Sequence, residues 1–315
     1  MSQMNKWVLG CVLAVIITGI NILFVFSNSN GTEEAEREYS FNRDYKIYAL
    51  AKPSNISFAG EKIPLNQPDI YERFDKEITV NTYWQSQSLL HIKKANKYFP
   101  IIEPILKEYG VPDDFKYLAI AESGLEQIVS PAGATGIWQL MKGTAKELGL
   151  EVNKEVDERY HIEKSTVAAC KYILKCEKEL GSWVNAVGAY NVGLAGMKKQ
   201  IKRQKSSHYF DLLLNQETSR YLFRILAAKE IISNPKYYGF YVLSKDMYNF
   251  APSHEVKVDS AVTFWADFAV DHQINYKILK RYNPWLRENY LTNKTNKSYL
   301  VKIPENGNYD PVYIK

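Results

Sequence analysis

The sequence predicts a mainly α-helical chain that opens on an apolar run and ends in a small α/β unit. Three observations carry that expectation. Over residues 63–238 apolar side chains recur at three- and four-residue spacing, and no strand-like run competes. After about residue 239 the pattern breaks into short segments of strand and helix length. Residues 7–26 carry no charged side chain, and about twenty apolar residues span a bilayer. With 315 residues, 46% of them hydrophobic, two folded units plus extras are expected.

The apolar run reads as an uncleaved signal anchor, residues 1–27. Lys6 precedes it, and Glu33, Glu34, Glu36 and Glu38 follow, so the positive-inside tendency keeps the N-terminus in the cytoplasm and exports the rest. A cleaved signal peptide is the competing reading, although no small-x-small site follows Phe26. Val8-Leu9-Gly10-Cys11 imitates a lipoprotein box, but its cysteine precedes most of the apolar run. Residues 28–60 are polar and acidic and read as a tether.

Helices follow in order. Pro68 opens one that carries Ile70, Phe74 and Ile78. A second is expected over 84–98 and a third over 100–110, closed by Gly110. The next begins near Pro112 and Asp113 and runs through Glu122. Further helices are expected over 144–148, 163–180, 183–191 and 217–232. In the last part, 256–258 and 299–303 read as strands around short helices at 263–269 and 276–281.

The net charge of +5, from 40 basic and 35 acidic residues, is too small to argue for nucleic acid. Five scattered histidines give no His-x-x-x-His spacing, no Cys-x-x-Cys occurs, and there is no nucleotide loop, so neither a metal nor another cofactor is expected. Cys170 and Cys176 lie on one predicted helix. Six residues of helix rise about 9 Å, beyond the roughly 7 Å a disulfide tolerates, so both read as buried free thiols.

The chemistry concentrates in three blocks: Ala121-Glu122-Ser123-Gly124-Leu125, then Ser130 to Met141, then Gly188-Ala189-Tyr190-Asn191-Val192-Gly193. Phe115, Leu118 and Glu122 share a helix face, which puts a carboxyl in an apolar stripe near a helix C-terminus. Apolar surroundings and the negative end of the helix dipole both favour its protonated form. A carboxylic acid kept neutral near pH 7 can donate a proton to a leaving oxygen. On the helix pattern alone, a helix-terminal Glu that reaches solvent is the plainer reading. Gly133 and Gly136 let main chain approach a ligand closely, and Trp138, Gln139 and Met141 would then present a ring, an amide and a thioether. By spacing alone Tyr190 is a packed core tyrosine. Glu217 and Arg220 read as a surface ion pair, and Tyr221 could face the same cleft.

Together and in this order, the blocks resemble the lytic transglycosylases of the goose-type lysozyme superfamily (glycoside hydrolase family 23), of the membrane-bound transglycosylase D type. The resemblance covers about residues 63–238, and it implies a lysozyme-like catalytic domain over 61–240. It implies Glu122 as the single catalytic acid and base. It places Ser123, Ser130, Gln139, Met141, Tyr190, Asn191 and Tyr221 at substrate-binding positions. His161-Ile162 stands where Asp-Pro is common, and Lys142 replaces a frequent proline. The implied activity is that of a carbon–oxygen lyase on peptidoglycan glycan strands, leaving 1,6-anhydro ends, in the cell envelope with the catalytic domain periplasmic. The rivals are a hydrolytic goose-type lysozyme and a non-catalytic peptidoglycan-binding envelope protein. Residues 250–306 resemble a LysM module through Leu279, Tyr282-Asn283-Pro284 and Val301-Lys302-Ile303-Pro304, with Ser260-Ala261 in place of the usual Gly-Asp. A plain α/β appendage packed on the catalytic domain is the alternative there.

Overall fold

The computed structural model describes residues 55–305 without a break, together with 35–36, 40, 47–51 and 53. The apolar run 7–26 and most of the predicted tether lie outside the described residues. Among the described residues no helix is long and apolar enough to cross a membrane. Residues up to Leu50 form one unit, and all the elements below belong to the second, which starts at Ala51.

The packed part begins inside the segment read as tether. Ile56 and Phe58 are buried, and Phe58 sits edge-on to Phe115 at 5.0 Å. A two-stranded hairpin, β1 (Ser57–Phe58) and β2 (Glu61–Lys62), presents these side chains.

Helix α1 (Pro68–Tyr83) buries Ile70, Phe74 and Ile78 against the last long helix, α8 (Gln216–Ser233). Helix α2 (Gln85–Glu108) corrects an expectation: Pro100 and Pro104 lie inside one continuous helix instead of starting a new one. An interior proline costs roughly 3 kcal/mol. The buried stripe Ile92, Phe99, Ile102 and Leu106 offsets two of them, at about 1.5–3 kcal/mol per buried side chain.

A 3₁₀ turn, Asp113–Phe115, leads into the short helix α3 (Lys116–Ser123), which carries Glu122 and packs between α2 and α8. Helices α4 (Lys142–Glu147), α5 (Ile162–Leu180) and α6 (Trp183–Val192) fall where the sequence places them. Cys170 and Cys176 on α5 are buried free thiols. Helix α7 (Leu194–Gln204) is an addition to the sequence-based set. It is rich in Lys and Gln and buries only Met197, so its apolar stripe is too thin to read.

The C-terminal unit pairs β3 (Ser253–Val258) with β4 (Tyr299–Pro304) as antiparallel strands, Val256 opposite Val301. Helices α9 (Trp265–Asp271) and α10 (Tyr276–Tyr282) lie between them in the chain. This unit does not stand apart. Val156 and Tyr160 join Trp265, Leu279, Leu286 and Val301 in one hydrophobic cluster. Main chain continues the contact: the Asp157 N–H donates to Trp285 at 2.9 Å and the Arg287 N–H to Glu155 at 2.8 Å.

Candidate active site

Glu122 lies in the last turn of α3, next to the C-cap Gly124, whose φ of 61° closes the helix. A Cβ at Gly124 would come within 2.9 Å of His91 Nε2, so glycine is required there by both conformation and space. His91 is itself buried, and burial, helped by Lys94, lowers its pKa to about 4. It stays neutral beneath the helix end.

The Glu122 carboxyl keeps part of its surface open while protein packs densely around it. Burial raises its pKa to about 7, and Glu217 pushes the same way. Two groups oppose the shift. Tyr221, buried on α8, donates its phenolic O–H to Glu122 Oε1. The Arg224 guanidinium adds a weaker pull and donates to the Ala121 carbonyl at 3.1 Å. Tyr190 lies close enough to feel Glu122's charge; burial and that charge raise its own pKa well above the usual value. Its hydroxyl donates to the Trp138 carbonyl at 2.8 Å. Asn191 reaches across to α8, donating to Glu217 at 3.2 Å and accepting from Thr218 Oγ1 at 2.7 Å.

The structure thus brings Glu122, Tyr221 and Tyr190 together, with Asn191 bonded to Glu217 and Thr218 on the helix that carries Tyr221. The glycine-segment residues have other immediate partners. Ser123 Oγ faces the Ala119 and Ile137 carbonyls at 3.1 and 2.9 Å, which ties the acid's helix to the loop. Ser130 Oγ accepts from the Ala134 N–H at 3.0 Å. Gln139 Nε2 donates to the Ile128 and Gly136 carbonyls at 3.1 and 2.8 Å. Met141 is exposed, at the start of α4.

Two expectations are corrected here. Trp138 does not present its ring: it is fully buried, and its indole N–H donates to Thr166 Oγ1 at 2.8 Å. Glu217 and Arg220 do not pair with each other. Arg220 reaches to the buried Glu77 at 2.5 Å, because a buried carboxylate gains more from a cation than an exposed one does.

Sequence reasoning passed over the clamp that shapes the glycine segment. Arg159 is buried and donates to Asp157 through Nε at 3.0 Å and Nη2 at 2.8 Å. Its Nη1 donates to the Gly133 carbonyl at 3.0 Å and the Leu140 carbonyl at 3.2 Å. One guanidinium therefore staples both ends of the loop. Gly136 faces the same residue: with φ of 81°, any Cβ there would fall 2.1 Å from the Arg159 carbonyl oxygen. Asp-x-Arg just before a helix was the available signal, but it carries no spacing rule of its own.

Near Glu122 in sequence, the other carboxylates are engaged elsewhere. Asp113 pairs with Lys116 at 2.5 Å. Asp114 pairs with Lys229 at 2.8 Å and accepts from the Ala59 N–H at 2.7 Å. Glu126 pairs with Lys94. Among the described residues no group of His, Cys, Asp and Glu is arranged to hold a metal.

Residues 99–212 match the family described as the transglycosylase SLT domain. Residues 254–307 match the soluble lytic transglycosylase C-terminal LysM-like domain. The chain is 31% identical over 192 residues to membrane-bound lytic murein transglycosylase D of Escherichia coli K12, covering 58% of this chain and 42% of the relative. It therefore spans less than half the length of that relative. Among solved structures, the 70 kDa soluble lytic transglycosylase of Escherichia coli aligns with 14% identity and a TM-score of 0.40, over 67% of this chain and 42% of the other. An inactive mutant of lytic transglycosylase Slt from Pseudomonas aeruginosa aligns with 19% identity and a TM-score of 0.37, over 48% and 26%. The chain thus carries a transglycosylase SLT domain over residues 99–212 and a LysM-like C-terminal domain over residues 254–307.

Proposed function

We propose that this chain is a peptidoglycan lytic transglycosylase, cleaving the β-1,4 bond between N-acetylmuramic acid and N-acetylglucosamine with Glu122 as its single acid and base. The observation that carries the reading is one carboxyl, held near pKa 7 by burial and hydrogen-bonded at one oxygen by Tyr221. With Oε1 accepting from Tyr221, the proton rides on the other oxygen and is available to the glycosidic oxygen. That proton transfer breaks the bond and leaves an oxocarbenium-like or acetamide-assisted sugar. The Glu122 carboxylate, its charge eased by Tyr221 and Arg224, then takes the proton from the sugar's carbon-6 hydroxyl. That oxygen closes on carbon-1 to give the 1,6-anhydro end. No water is consumed, unlike the two-carboxylate scheme of most glycosidases. The ion pairs of Asp113, Asp114 and Glu126 support the single-carboxylate route, since none is left to aim a water.

In this reading Tyr190 and Asn191 hold the muramic sugar from the α6 side. Ser123, Ser130 and Gln139 shape the opposite wall through their main-chain bonds, and Met141 offers an exposed thioether at its rim. Residues 7–26 anchor the chain to the inner membrane with the 61–240 domain in the periplasm, and 250–306 form the second domain. Glu217 supports the hydrolytic alternative, because its charge is felt at Glu122.

Purified full chain acting on peptidoglycan sacculi separates the readings by mass spectrometry of the released muropeptides. The expected products are lighter by one water than hydrolytic ones, and a Glu122→Gln chain releases them roughly a thousandfold more slowly. Reducing ends would establish the lysozyme reading. Binding without release would establish the non-catalytic one.

A further inference from the structure

Between the SLT domain and the LysM-like domain lies a cavity of about 530 Å³, with neither Glu122 nor Tyr221 in its wall. That volume falls in the range of small-molecule sites, about 300–1,000 Å³. One wall comes from α2 at Lys94–Ile101 and from the Leu125–Gln127 loop; the other comes from Arg281–Trp285 and Lys302 of the C-terminal domain.

The charges in this wall do not balance. Its two carboxylates are both engaged: Glu126 by Lys94, and Glu163 by Lys302 with His161 at 3.1 Å. Lys97 and Arg281 remain, with no carboxylate partner among the described residues; Arg281 is exposed at the rim, and Lys97 lies deeper. Lys97 is half-buried, its ammonium 4.1 Å from the centre of the Phe250 ring and 5.7 Å from that of Tyr98. Burial lowers its pKa, and Arg281 lowers it further, so the two cations repel across the gap. The faces of Phe250 and Tyr98 attract the Lys97 ammonium, but they supply no negative charge to offset its repulsion from Arg281. An anion placed between them would reverse the sign of that interaction. Arg's planar fork matches a carboxylate, and the rings beside it suit an organic body better than a bare ion.

We propose that this cavity is a second ligand site that takes a peptide or acyl amino acid by its free carboxylate, between Lys97 and Arg281, with the apolar body against Tyr98, Phe250 and Trp285. The site is made only when both domains are docked. It stands independently of the role given to Glu122.

The test is an NMR titration of the full chain with N-acetyl-alanyl-alanine, with its C-terminal amide, and with inorganic phosphate. The free acid should bind at least tenfold more tightly than the amide and more tightly than phosphate. Lys97→Met and Arg281→Gln should each weaken binding of the acid at least tenfold, Lys97→Arg should retain it, and Glu122→Gln should leave it unchanged. Thermal unfolding of each variant checks that the chain stays folded. Equal binding of acid and amide, phosphate binding as tightly as the acid, undiminished binding in Lys97→Met, or loss of binding in Glu122→Gln would each overturn the proposal.

Discussion

Glu122 and Glu163 are both half-buried glutamates at helix ends, yet they end on opposite sides of the ordinary carboxylate pKa. Glu122 is raised to about 7 and Glu163 is lowered to about 2. Burial pushes both upward. Glu163, in the first turn of α5, receives Lys302 from the C-terminal domain and His161 beside it, and the helix N-terminus favours its charge as well. Glu122, in the last turn of α3, receives a neutral phenol from Tyr221 and only a weaker pull from Arg224. Arg220, next to Tyr221 in the sequence, pairs with Glu77. Depth of burial sets the cost of charge, and the partners decide whether that cost is met. At the domain junction it is met, and the result is adhesion. At the candidate active site it is left unmet, and the result is a group ready to give up a proton.

The largest effect is expected from Glu122→Gln, which should lower turnover by roughly a thousandfold. It should also stabilise the protein, with a definite pH dependence. A folded-state pKa of about 7 against an unfolded value near 4.5 means that the native state binds more protons between them. Stability then falls as pH rises through that window. The variant loses this slope. In urea unfolding it should match the parent near pH 4 and exceed it by on the order of 2–3 kcal/mol at pH 8. An equal difference at both pH values would break the contrast with Glu163.

Next comes Arg159→Met, which leaves buried Asp157 without its guanidinium and should cost about 3–5 kcal/mol. A smaller loss in denaturant unfolding would mean that the loop staple is dispensable. Lys302→Met removes the lysine from Glu163 and leaves His161 beside it. Because that pair is partly exposed, about 1–2 kcal/mol is expected at pH 7. Glu163's contribution is present above its unfolded pKa and fades as pH falls toward about 2, so the cost should shrink in acid. Hydrogen exchange over residues 283–304 reads the loosened junction directly. The smallest effect belongs to Tyr221→Phe. Losing the phenolic donor raises the Glu122 pKa further, so the alkaline limb of the rate–pH profile should move upward by up to about one unit. A downward move would show that the tyrosine opposes the charged form.

Long helices were legible where a broad apolar face gave periodicity, as in α1, α5 and α8. Residues 100–108 misled because proline signals a helix start locally, whereas burial of Phe99, Ile102 and Leu106 is collected only in the assembled core. Helix α7 escaped because its one buried side chain, Met197, gives no period. At the candidate site, spacing to Phe115 and Leu118 put Glu122 on the apolar face of its helix, but that pattern alone favoured a side chain reaching solvent, and the fold decided its depth. Its hydrogen bond from Tyr221, 99 positions away, follows from no local pattern. Nor does the choice of Arg220 for Glu77 over Glu217, since α1 and α8 meet only in the fold.

Periodicity, turn residues and the order of the short blocks were enough to determine by themselves a helical domain, its acid-bearing helix and a strand–helix–helix–strand tail. These depend on neighbours within one or two turns, which the chain carries with it. Which cation meets which carboxylate, which ring is buried, and how the tail docks were decided only in three dimensions. Coulomb and desolvation energies depend on distance through space, and residues far apart in sequence acquire those distances only when the helices pack.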